Sequence, residues 1–133
     1  MLVTRETDYA IRCVSFLSQR PGYVANISEI AKGTAVSKSF LAKILQKLSK
    51  AEIVTSQRGI KGGFNLAKKP GRISVFDVMM AVGGSPAINI CAVDKRACDF
   101  SQACAIHPLW VDIRKEIEQR LKNADFARLC GLK

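Results

Sequence analysis

Histidine occurs once in these 133 residues, tryptophan once, and acidic side chains number 11 against 21 Lys and Arg. With one imidazole and no Cys-x-x-Cys, no catalytic constellation can be assembled and a thiol oxidoreductase is the least favoured reading, so no enzyme and no small-molecule substrate are expected. The absence of Cys-x-x-Cys also removes the usual knuckle of structural zinc sites. No Gly-Lys-Ser/Thr follows the glycines at 59, 62 and 63, which argues against a phosphate-binding loop. No run approaches the roughly eighteen apolar residues of a membrane span. The amino end, Met1-Leu2-Val3-Thr4-Arg5-Glu6, is charged by its fifth residue and lacks an apolar signal core. A cytoplasmic protein with reduced thiols and no membrane partner is the expectation.

What is present is positive charge, and it is localised. Residues 1–73 carry 13 Lys and Arg against 4 Asp and Glu, whereas residues 74–133 carry 8 against 7. Basicity confined to one segment is the footprint of a phosphate-backbone binder. A solvated basic surface would give the same total, so the pattern beneath the charge has to decide.

That pattern begins with a helix over Thr4 to Gln19, in which Ala10, Cys13, Val14 and Leu17 repeat at i, i+3, i+4 and i+7. After Pro21-Gly22, the run Ile27 to Gly33 predicts a short helix with Ser28 as cap and Gly33 as terminator. Ser37 caps a third helix whose Leu41, Ile44, Leu45 and Leu48 form one face and whose Lys38, Ser39, Lys43, Gln46 and Lys47 form the other. Two helices joined by a tight turn, the second presenting donors, fit a helix-turn-helix that lays a recognition helix in the major groove of double-stranded DNA. The strand-like runs Ile53 to Gln57 and Phe64 to Leu66 flank Arg58-Gly59-Ile60-Lys61-Gly62-Gly63. They predict a hairpin whose three glycines allow positive backbone angles and whose Arg58 and Lys61 stand on a tip able to enter a minor groove. The fold expected is mainly α with a small β-hairpin wing, a winged helix-turn-helix over 1–73 in one compact unit with residues 74–133.

The second part opens with a helix capped by Ser74 and Asp77, with Val75, Val78, Met79 and Val82 on one face. Far downstream, Pro108 opens a helix of about fifteen residues in which Leu109, Ile113, Ile117 and Leu121 recur every four. Its other faces are charged, so it projects, and a narrow stripe on a projecting helix predicts a homodimer seam. Phe126 to Leu129 adds a short amphipathic turn. Between these helices, Cys91, Cys98 and Cys104 fall in a segment, about 90–107, that lacks helical or strand periodicity, with His107 close behind. Zinc, an iron-sulfur cluster and redox thiols all satisfy that composition. Gaps of six and five residues suit the larger cluster better than a lone zinc ion.

Thr7-Asp8-Tyr9-Ala10, Arg58-Gly59 with Gly62-Gly63-Phe64, and Cys91, Cys98 and Cys104 before His107-Pro108-Leu109-Trp110 together resemble the winged-helix iron-sulfur regulators of the IscR/NsrR type. The resemblance runs the length of the chain and implies a dimeric transcriptional regulator, typically a repressor, that senses redox state, nitric oxide or iron-sulfur status. It implies a four-iron or two-iron cluster on the three loop cysteines, the four-iron form being favoured. The fourth ligand it implies is either Asp8, reaching across the dimer, which is the preferred reading, or His107, which otherwise serves as a helix cap. Ser37, Lys38, Ser39, Lys43 and Lys47, with Arg58, Gly59 and Lys61 on the wing, are the expected DNA contacts. Two departures stand out: the first cysteine gap is one residue longer than is common, and Ala42 replaces a glutamate used in site choice. The operator therefore does not transfer.

Overall fold

A computed structural model of the chain describes residues 3–94, 96, 98–100 and 102–132; Lys95, Ala97 and Ser101 of the cysteine segment lie outside the described residues. The first helix, α1 (Arg5–Ser18), starts where the Thr4 hydroxyl accepts the Thr7 N–H at 3.1 Å, with Glu6 and Asp8 in the positive first turn. Ala10, Cys13, Val14 and Leu17 are buried, as their spacing predicts, and Thr7 and Ser18 join them.

Helix α2 (Ile27–Thr34) corrects two expectations. Its cap is Asn26, not Ser28: the Asn26 side chain accepts the Glu29 N–H at 2.9 Å, and the Glu29 carboxylate accepts the Asn26 N–H at 3.4 Å. Gly33 does not end the helix. It lies within α2 where a side chain would run into the Phe16 ring, so its service is close packing of α2 on α1. The left-handed residue that stops the helix is Ala35, at φ +58°, in the turn before α3.

Helix α3 (Lys38–Lys50) is capped by Ser37 and buries Leu41, Ile44, Leu45 and Leu48. Strands β1 (Val54–Gln57) and β2 (Gly63–Leu66) pair antiparallel, Val54 opposite Leu66 and Gln57 opposite Gly63. Ala25 adds a further rung, exchanging bonds of 2.9 and 2.7 Å with Phe64 and tying the hairpin to the segment before α2. Of the three wing glycines only Gly59 takes a positive φ, +112°. Gly63 is needed for closeness instead, because a Cβ there would collide with the Ala25 backbone.

Helix α4 (Val75–Ala81) begins with the predicted Ser74–Asp77 capping box and packs on α1 and α3 through buried Val78 and Met79. Two short helices flank a long one: α5 (Ile90–Val93), α6 (His107–Asn123) and α7 (Phe126–Leu129). The turn of α5 is an element the aperiodic reading of this segment missed. Helix α6 rests along α4 and α5 yet buries none of its residues fully, and Leu109 of its stripe is 53% exposed. After α6 the chain returns to the head. Ser74 bridges Asp125, and Phe126, 1% exposed, enters the same core as Leu17, Leu41, Leu48 and Ile73. The apolar core thus runs through both 1–73 and 74–133.

Candidate functional site

Two surfaces carry the candidate chemistry. The first is the exposed side of α3 with the wing. Because Leu41, Ile44, Leu45 and Leu48 point inward, Ser39, Ala42, Lys43, Gln46 and Lys50 fall opposite them, and all five are exposed. Lys38 and Lys43 form no ion pair among the described residues. Ser37 is committed locally, its oxygen accepting the Phe40 N–H at 3.4 Å and lying 3.3 Å from the Ser39 hydroxyl. Lys47 differs from the other predicted contacts: it turns to the flank of α3, where its Nζ lies 2.5 Å from Glu6 Oε1 on α1. Above that pair the Tyr9 ring meets Phe40 edge-on, centroids 5.4 Å apart. Sequence reasoning passed over Lys50, which shares the helical face of Lys43 and was findable from that spacing alone.

On the wing, Arg58, Gly59 and Lys61 are exposed, and the two cations have no acidic partner among the described residues. The Gly62 N–H donates to the Gly59 carbonyl at 3.0 Å, closing the turn that presents Ile60 and Lys61.

The second surface is the cysteine segment beside the start of α6. Cys91 sits on α5 and is buried, 7% exposed, whereas Cys98 and Cys104 are half-buried. Among the described residues no three His, Cys, Asp or Glu side chains come together closely enough to hold a metal ion. His107 occupies the first position of α6, its backbone N–H donating to the Cys104 carbonyl at 3.3 Å. It is not the helix cap: that position belongs to Ile106, which makes no side-chain bond, and Pro108 follows His107. The His107 Nδ1 is buried without a hydrogen-bond partner among the described residues. Buried polar atoms are nearly always paired, so a bare imidazole nitrogen at the end of the cysteine segment fits a ligand role there, while the thiols and the imidazole are not gathered around one point among the described residues.

Asp8, the other expected ligand, lies exposed on α1, its carboxylate 3.1 Å from the Arg12 guanidinium. Arg12 also donates to the Thr34 carbonyl at 3.3 Å and stands over the Tyr9 ring. It links α1 to the end of α2, a role that the i, i+4 spacing from Asp8 could have suggested. The two remaining cysteines are elsewhere. Burial in the core pushes the Cys13 thiol up to about 12, and Cys130 lies 3.5 Å from the Ser15 hydroxyl. No described helix is long and apolar enough to cross a membrane.

This architecture is shared with solved regulators. The structure of CymR, the global cysteine regulator of B. subtilis, matches with a TM-score of 0.80 over 98% of this chain and 97% of that one, at 20% identity. The IscR of T. potens matches with a TM-score of 0.79 over 98% and 87%, at 24% identity. Among curated proteins, an HTH-type transcriptional regulator by description, from Aquifex aeolicus (strain VF5), is 28% identical over 99% of this chain and 93% of its own length. ORF2 of Azotobacter vinelandii, of the same description, is 32% identical over 98% and 80%. The model of the Rrf2 family, described as iron-dependent transcriptional regulator, spans residues 3–131. With the helix-turn-helix, the hairpin wing and the trailing long helix in place, the chain belongs to the Rrf2 family of transcriptional regulators.

Proposed function

We propose that this chain is a homodimeric, cytoplasmic repressor that reads double-stranded DNA with α3 and the wing and holds an iron-sulfur cluster on Cys91, Cys98 and Cys104. The observation carrying the sensing half is the buried, unpartnered His107 Nδ1 at the end of the three-cysteine segment. It supports His107 as fourth ligand; the alternative, the partner subunit's Asp8, is an exposed carboxylate held only by a weak i, i+4 pair with Arg12. When bound, the cluster would supply a centre sensitive to redox state and nitric oxide; three cysteines and one further ligand complete the four positions that a four-iron or a two-iron form each needs.

The chain's own residues do the rest. Cys91 and His107 sit on α5 and α6, which touch each other, and α6 rests on α4, which packs on α1 and α3. A change in how the segment holds its ligands therefore reaches the recognition helix through contiguous packing. Ser39, Lys43 and Lys50 meet base edges and phosphates, Ser37 and Lys38 meet phosphates at the helix start, and Arg58, Gly59 and Lys61 enter the adjacent minor groove. The half-buried Ile113, Ile117 and Leu121 stripe of α6 meets its symmetry mate.

Protein purified without oxygen should be brown, with iron and acid-labile sulfide, and Cys98→Ala should remove both while leaving the fold, read as the far-ultraviolet circular dichroism spectrum, unchanged. Colourless wild-type protein containing zinc or no metal would overturn the sensor and leave the DNA-binding reading standing. Lys43→Ala should weaken a specific DNA complex by about tenfold, the worth of one good bidentate contact.

A further inference from the structure

The wing tip carries a residue that neither turn chemistry nor the core explains. Ile60 is fully exposed, between Arg58 and Lys61. It occupies the first of two central positions in the turn closed by the Gly62 N–H on the Gly59 carbonyl. Such positions favour Pro, Asn, Asp, Ser or Gly for backbone reasons, and a β-branched apolar side chain satisfies none of them. The tip is presented on a firm base, since the hairpin is paired from Val54–Leu66 to Gln57–Gly63 and bonded twice to Ala25.

We infer that Ile60 is a specificity-determining contact that packs on the floor of the DNA minor groove and disfavours the guanine amino group there. The inference rests on the proposed reading of DNA by the wing. Arg58 and Lys61 flank Ile60 without acidic partners among the described residues, so a surface complementary to the tip is anionic on both sides with room for a hydrocarbon between. A minor groove has that form: two phosphate walls and a floor of base edges. Over A·T pairs the floor carries only acceptor atoms and bare ring edges, which a branched hydrocarbon can cover. Over G·C pairs the exocyclic amine projects from the floor into the space the side chain would fill, holding the Ile60 methyls off the base edges and burying a donor in addition to the acceptors common to all pairs. The two cations supply affinity without sequence preference, and Ile60 supplies preference without charge.

The test uses full-length protein and a duplex enriched by the wild-type chain from a random-sequence library, with the wing's base pairs located by hydroxyl-radical footprinting. Ile60→Ser should weaken binding on the order of tenfold, from the apolar burial lost, with the salt dependence unchanged. Ile60→Leu should retain most of the affinity. Replacing adenines under the wing with 2,6-diaminopurine, which adds the amine to the minor groove alone, should weaken the wild type but not Ile60→Ser. Binding of Ile60→Ser at wild-type strength, or equal sensitivity of both proteins to diaminopurine, overturns the inference. Arg58→Ala separates the two levels: weakened binding there with an unaffected Ile60→Ser removes the role of Ile60 alone, whereas no effect in either removes the wing reading with it.

Discussion

The five cysteines of this chain do different work, and their surroundings tell them apart. Cys13 lies in the core between α1 and its neighbours, and desolvation raises its thiol from near 9 to about 12. The folded state therefore holds this proton more tightly than the unfolded chain does. Its contribution to stability is complete below pH 9 and is lost as pH rises towards 12. Between pH 8 and pH 10 the wild type should lose about 1 kcal/mol through this group. Urea midpoints at the two pH values should converge in Cys13→Ala; an equal drop in both proteins would show that other groups carry the dependence. The place of Cys13 was legible because it falls on a face with Ala10, Val14 and Leu17. That of Cys91 was not, because it lies on α5, a single turn in a segment with no period, set against α6.

At the scale of elements, α1 and α3 are joined at their exposed edges by Glu6–Lys47 and by Tyr9 against Phe40. The acidic partner holds the lysine away from the face presented by Lys43 and Lys50. Glu6→Gln should free Lys47 to reach a phosphate, strengthening DNA binding several-fold and steepening the plot of log affinity against log salt by about 0.9. An unchanged slope in fluorescence anisotropy would mean that Lys47 stays clear of the backbone in either protein. The heptad-like burial of α3, the hairpin and the Ser74–Asp77 box could all be read from local spacing. The start of α2 could not. Asn26 and Ser28 are both good caps, and the choice falls to Asn26 because the Ala25–Phe64 rung holds the chain extended up to that residue, at ψ 165°. A tertiary contact, invisible in the local sequence, decided a local feature.

For the whole molecule, the order of elements was legible, and the route of the last ten or so residues was not. A four-residue turn after a projecting helix offers no sign of where it docks, yet Phe126 packs against Ile73 and the α1 core. Phe126→Ala should cost about 3–5 kcal/mol, as large aromatic truncations in filled cores do. Denaturant titration should show that loss in the same cooperative transition that reports the head; a separate, earlier transition would mean that α7 is an independent appendage. The return of the chain also sets an order of events during synthesis. The first seventy-odd residues leave the ribosome with every helix and strand of a DNA reader, but with a hole where Phe126 belongs. The core of a nascent head is therefore complete only once α7 has been made, after the segment that carries Cys91, Cys98 and Cys104.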